Sequence, residues 1–151
     1  MKFDSTEKID FYLPKVQSFI DEVVMPVELD ILKQDIPVDK RWEPHPEIED
    51  LKKEARDRGL WNLFLPDSDY GAGLTNYEYA HLAEAMGRTH FASEAMNCSA
   101  PDTGNMEVLV RYGSKEQQDQ WLKPLLNGEI RSAFGMLSLI HISEPTRLGF
   151  I

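Results

Sequence analysis

The stretch Gly59-Leu60-Trp61-Asn62-Leu63-Phe64-Leu65-Pro66-Asp67-Ser68-Asp69-Tyr70-Gly71-Ala72-Gly73-Leu74-Thr75-Asn76-Tyr77-Glu78 decides the fold. Gly59 can take the left-handed conformation that ends a helix, and Pro66 stops the apolar run that begins at Leu60. That run is expected to plug a core. Asp67 to Gly73 is rich in turn formers. Thr75 and Glu78 then have the spacing of a capping box, in which a hydroxyl and a carboxylate satisfy each other's orphan N–H groups at a helix start. One helix therefore ends before the plug and another begins after it.

Upstream, Pro46 suits the first position of the helix that Gly59 ends, because its missing N–H would have had no partner there. Ile48, Leu51 and Ala55 form its buried stripe, and Arg56 and Arg58 complement its carboxyl end. Further back, Asp4 is followed three positions later by Glu7, and Ile9, Tyr12, Leu13, Val16, Phe19, Ile20 and Val23 recur at helical spacing. This long first helix is expected to start late or kink near Pro26, because Pro14 and Pro26 interrupt it, and to fade before Pro37. Residues 36 to 45 read as a loop.

Downstream, the helix opened by Thr75 carries Tyr79, Leu82, Ala83 and Met86 on its apolar side and closes at Gly87. A fourth, from about Pro101 to Tyr112, buries Met106, Leu109 and Val110 and closes at Gly113. Ser114 and Gln117 cap a fifth, which carries Trp121, Leu122 and Leu125. The fold class is all-α: an N-terminal helical bundle of about five helices over residues 1–130. After the Asn127-Gly128 turn signal, residues 131–136 lack a helical period and read as a short possible strand.

The chain's 26 acidic against 16 basic residues give a net charge of -10, which repels phosphate backbones and anionic lipid surfaces. Nucleic acid is thereby excluded as a natural partner. No apolar run approaches the roughly 20 residues that span a bilayer, and the N-terminus turns polar at once. With one cysteine, Cys98, no internal disulfide forms, so a reducing compartment is expected: the cytoplasm of a bacterium or the lumen of an organelle.

Residue by residue, little chemistry stands out. Asp67, Asp69 and Glu78 imitate a calcium loop, but Gly71 and Ala72 occupy its fifth and sixth places, where an oxygen ligand and the invariant glycine belong. His45, His81, His90 and His141 lack the spacing that puts two imidazoles on one helix face, so no metal site is expected. Gly71-Ala72-Gly73 lacks the Gly-Lys-Ser/Thr of a phosphate loop and reads as a turn. Glu47 and Glu49 favour a helix start rather than acid–base work. Cys98 has no neighbouring cation in sequence to activate it and reads as buried and inert. Trp42, Trp61 and Trp121 read as core or interface anchors.

Taken together, Gly59-Leu60-Trp61, Pro66 with Tyr70-Gly71-Ala72-Gly73-Leu74, and Glu84-Ala85-Met86-Gly87-Arg88 resemble the helical N-terminal domain of flavin-dependent acyl-CoA dehydrogenases. Ala100-Pro101-Asp102-Thr103-Gly104-Asn105-Met106-Glu107, Tyr112-Gly113-Ser114-Lys115-Glu116-Gln117 and Trp121-Leu122-Lys123-Pro124-Leu125-Leu126-Asn127-Gly128 extend the resemblance over most of residues 5–136. It is strongest to the branch sometimes fused to a phosphotransferase-like domain. In that family Phe134-Gly135-Met136 would open a middle β-domain and run into Thr-Glu-Pro and a Ser-Asp pair. Here residues 137–151 depart from the pattern and resemble the translation of a sequencing adapter, or else an insertion at 137–142.

The resemblance implies α,β-dehydrogenation of an acyl-CoA thioester, with FAD as hydride acceptor and an electron-transfer flavoprotein as the next partner. It implies a homo-oligomer when the protein is complete. The catalytic base would lie outside this chain, so no catalytic residue is assigned and the fragment is expected to be inactive alone. Phe134 and Met136 would approach the flavin. Met96, Ala100 and Gly104 match positions that line the acyl-chain pocket, and the two small residues imply room for a long chain. For Gly104 the alternative to a pocket role is close helix packing, and for the whole chain the alternative is a free-standing helical interaction module without catalysis.

Overall fold

The computed structural model describes residues 5–40 and 43–135. Helix α1 (Glu7–Phe19) is capped by Thr6, whose hydroxyl accepts the Ile9 N–H at 3.3 Å, so the cap is this residue rather than Asp4. It continues through a widened turn (Ile20–Val24) into α2 (Met25–Lys33). Here Met25 N–H donates to the carbonyl of Ile20, five residues back, immediately before Pro26. A proline ring collides with the carbonyl four residues earlier, and one extra residue in the preceding turn relieves that collision. The interruption expected near Pro26 is therefore a local widening, and Pro14 is accommodated inside α1.

The same device recurs later. After α7 (Lys115–Gln117) a widened turn (Gln118–Leu122) has Lys123 N–H donating to Gln118, and Pro124 follows inside α8 (Lys123–Leu126). The single fifth helix expected from sequence is thus three pieces, opened by the Ser114–Gln117 capping box.

Helix α3 (Pro46–Asp57) buries Ile48, Leu51 and Ala55 as its stripe requires, and Gly59 follows at φ +70°. Leu60, Leu63, Phe64 and Leu65 are buried in the central core. Around them pack α1 against α4 (Asn76–Met86), and α3 against a short α5 (Ala92–Ala95). In α4 the Thr75–Glu78 box is present, but Ala85 rather than Ala83 is buried. Helix α6 (Asp102–Tyr112) contributes Met106 to the core, and Leu109 and Val110 pack at its margin. The expected loop before Pro46 holds one 3₁₀ turn, Val38–Lys40.

Among the described residues no strand forms. Residues 131–135 run irregularly, and the Ser132 N–H is taken by the Asp102 carboxylate instead of a neighbouring strand. The expectations placed on Trp42, His141, Met136 and residues 137–151 fall outside the described residues.

Candidate functional site

The loop after α5 and the first turn of α6 carry the three residues matched to an acyl pocket, and the fold separates them. Met96 is buried in the core, where its carbonyl accepts the Asn62 N–H at 3.1 Å. Ala100 is exposed. Gly104 is also exposed, and a Cβ placed there would meet nothing within 4 Å, so close helix packing does not account for this glycine among the described residues. Phe134 is 63% exposed.

What joins the start of α6 to the segment carrying Phe134 is Asp102, a residue not singled out from sequence. It is buried, and both of its oxygens are partnered. Oδ1 accepts both the N–H and the hydroxyl of Ser132 at 2.6 Å, and Oδ2 accepts Arg131 Nε–H at 2.7 Å. Asn105 donates to the Ser132 hydroxyl oxygen at 2.8 Å. Arg131 also reaches Glu94 at 2.6 Å. Burial opposes the guanidinium charge, but the Asp102 and Glu94 carboxylates outweigh it, so Arg131 is held above its ordinary value. The only sequence signal for this cluster was an Asp at the start of a helix, a common and unspecific feature.

Two clefts flank this region. One of about 700 Å³ runs between α2, α3 and residues 128–131, with Ile31, Ile48 and Phe91 among its apolar lining and Lys52, Glu94 and Arg131 among its charged lining. Another of about 580 Å³ is lined by Arg56, Trp61, Tyr70 and Asn127, with the Arg56 guanidinium 4.0 Å above the Trp61 ring. Among the described residues, no group of three or more His, Cys, Asp or Glu side chains is placed to hold a metal ion. No helix among them is long and apolar enough to cross a membrane.

A flavin is implied by the resemblance, and the donor set can be tested against it. Phe134 lines neither cleft and stands mostly in the open, so the described residues alone do not enclose an isoalloxazine ring. The thiol of Cys98 is buried and its Sγ–H donates to the Met96 carbonyl at 3.3 Å. The arrangement near residue 102 can hold a segment in place; it carries no reacting group.

Residues 6–129 match the family model described as the acyl-CoA dehydrogenase N-terminal domain. The chain is 58% identical over 123 residues to mouse acyl-CoA dehydrogenase family member 10, covering 78% of this chain and 11% of the relative. To FadE2, an acyl-CoA dehydrogenase of Mycobacterium tuberculosis, it is 47% identical over 151 residues, covering 97% and 36%. A solved acyl-CoA dehydrogenase structure from Mycobacterium abscessus superposes with a TM-score of 0.82 at 46% identity, covering 96% of this chain and 38% of that one. The chain thus spans well under half the length of these relatives, and it belongs to the acyl-CoA dehydrogenase family, whose N-terminal helical domain it carries.

Proposed function

We propose that this chain forms the helical wall of a site for α,β-dehydrogenation of an acyl-CoA thioester. The chemistry itself requires FAD and a base carried by residues beyond those described. Electrons would pass to an electron-transfer flavoprotein, and the complete protein would be a homo-oligomer in the cytoplasm of a bacterium or an organelle of a eukaryote. The observation that carries this reading is the exposure of Gly104 and Phe134, two family-matched positions that the other described residues leave open. Met96 stands behind that wall, in the core. Met136 would join Phe134 against the flavin.

The test is purification followed by addition of FAD and acyl-CoA. The expected product is colourless, retains no flavin after gel filtration and shows no acyl-CoA-dependent bleaching. A yellow product that acyl-CoA bleaches overturns the assignment of the chemistry to residues elsewhere. In a longer family protein carrying this domain, Gly104→Leu is expected to cut kcat/KM for long acyl chains about tenfold or more and to spare short ones, since side-chain bulk in an apolar pocket limits what fits. Strict short-chain preference before substitution would refute a roomy pocket.

A second reading, a helical interaction module without catalysis, is favoured by the exposure of Val108, Tyr112 and Trp121. A soluble, colourless monomer would support it, whereas a colourless product that aggregates supports the wall. Residues 137–151 have two readings, a foreign tail like a translated adapter and a family insertion at 137–142. Genomic DNA read past the Met136 codon distinguishes the two.

A further inference from the structure

Five charges alternate in sign across four elements. Lys52 Nζ of α3 lies 2.6 Å from Glu49 of the same helix and 3.6 Å from Glu94 of α5. Arg131 bridges that same Glu94 oxygen, at 2.6 Å, to Asp102 of α6, at 2.7 Å. The exposed members of such a chain contribute little each. Asp102 differs, because its side chain is 4% exposed and sits in the first turn of α6, where the helix dipole favours a carboxylate. Removing its partners leaves a buried charge uncompensated, which costs far more than a lost surface pair.

Burial does not hold the segment that Asp102 grips. Arg131, Ala133, Phe134 and Gly135 are exposed and Ser132 is only half-buried, so the segment keeps its place through polar contacts from Asp102, Asn105 and Glu94. The geometry points to Asp102 as a positioning residue, which pins residues 131 and 132 to the first turn of α6 and thereby sets where Phe134 leaves the helical unit. This inference rests on the proposed reading that Gly104 and Phe134 border one site, and adds what ties them. The helix that carries Gly104 also carries Asp102, so an occupant that shifts α6 shifts Phe134 through a carboxylate.

The test uses the full chain with a fluorinated phenylalanine at position 134 and residue-resolved amide exchange, and needs neither flavin nor acyl-CoA. Asp102→Ala is expected to speed exchange of the Ser132 amide about tenfold or more and to narrow the Phe134 fluorine line, with the amides of α1 and α4 unchanged. Asp102→Asn keeps an acceptor for Ser132 and loses the ion pair, so it should fall between. Adding Arg131→Ala to Asp102→Asn should loosen the segment by less than Arg131→Ala does alone, because only the Glu94 pair is left to lose. Unchanged Ser132 exchange overturns the proposal, as does loosening spread equally over α1 and α4 or additive effects in the double variant. Should Asp102→Ala fail to fold, Arg131→Ala at its half-exposed position still must sharpen the Phe134 line for the proposal to stand. If the segment behaves as stated and Phe134→Ala leaves flavin retention in a longer family protein unchanged, the flavin reading fails and the positioning role survives.

Discussion

Asn97 donates its side-chain N–H to Asn62 Oδ1 at 2.7 Å, while both backbones occupy the left-handed region at φ 53° and 56°. The pair joins the core plug, which contains Asn62, to the loop after α5, and each residue also reaches the end of α8. Asn97 donates to the Leu125 carbonyl at 3.1 Å and Asn62 to the Leu126 carbonyl at 3.0 Å. Trp61 Nε1 meets the same Leu126 oxygen at 2.7 Å. Helix ends leave carbonyls short of intrahelical partners; the Leu126 oxygen is served here by Asn62 and Trp61, and Asn97 adds a second donor to the Leu125 oxygen, which also accepts the Gly128 N–H at 2.9 Å.

Asn97→Ala removes both donations and puts at φ 53° a side chain that lacks the polar contacts by which asparagine tolerates the left-handed region, so a loss of about 2–4 kcal/mol is expected in urea unfolding. Asn97→Gly keeps the backbone comfortable and should lose about 1–3 kcal/mol. Equal losses for the two variants would show that φ contributes nothing here.

Two glycines should respond in opposite directions. A Cβ at Gly71 would lie 2.4 Å from the Leu65 carbonyl oxygen, so Gly71→Ala must displace the loop over the core plug and is expected to lose about 1–3 kcal/mol. At Gly104, inside α6 and facing open space, alanine should gain about 0.5–1 kcal/mol from helix propensity alone. Melting temperatures of the two variants measured side by side decide the matter, and a destabilised Gly104→Ala would reveal a neighbour the described residues do not include.

Stability should fall in acid. Glu78 is held below its ordinary value of 4.5 by the Thr75 N–H and then by the Thr6 hydroxyl, which ties the start of α1 to the start of α4. Glu28 is lowered chiefly by the His90 N–H, and Asp119 by Lys123 and Lys115. A carboxyl whose folded value lies below its unfolded one contributes fully above the unfolded value and loses that contribution as pH falls through the folded one. Melting temperature should thus decline from about pH 4.5 downward, and Glu78→Gln should flatten part of that decline. An identical acid slope in wild type and variant would remove Glu78 from the account.

Burial pushes the Cys98 thiol up to about 11, against the opposing pull of the Phe64 and Leu63 backbone N–H groups. At neutral pH a disulfide reagent should therefore react with almost none of it until the chain unfolds, and then with one thiol per chain. Fast reaction with the native protein would mean that the core around Met96 opens readily.

Much of the scaffold was legible because its signals are local. Gly59, Pro46, the Thr75–Glu78 box and the Ser114–Gln117 box each act within one helical turn, and each lies where the sequence placed it. The stripe of α4 was misread at Ala83 because an alanine carries too little hydrophobicity to mark a face. Asn62 and Asn97 escaped notice because asparagine is ordinary in loops, and its left-handed conformation follows from a partner 35 residues away. Asp102 escaped for the same reason, its partners lying 29 and 30 residues downstream. The pocket role of Met96 rests on motif position, and its burial in the core follows from tertiary packing that no local pattern encodes.

The two widened turns make each proline part of a pair. An extra residue ahead of Pro26 or Pro124 rotates everything beyond it by about 100° relative to a regular helix, and the core contacts of Ile31 and Leu125 depend on that rotation. Proline and extra residue therefore act as one structural unit. Removing one residue from Ile20–Val24 would set Pro26 against the carbonyl four residues before it and turn α2 off the core, a double fault that exchanging Pro26 alone would not mend.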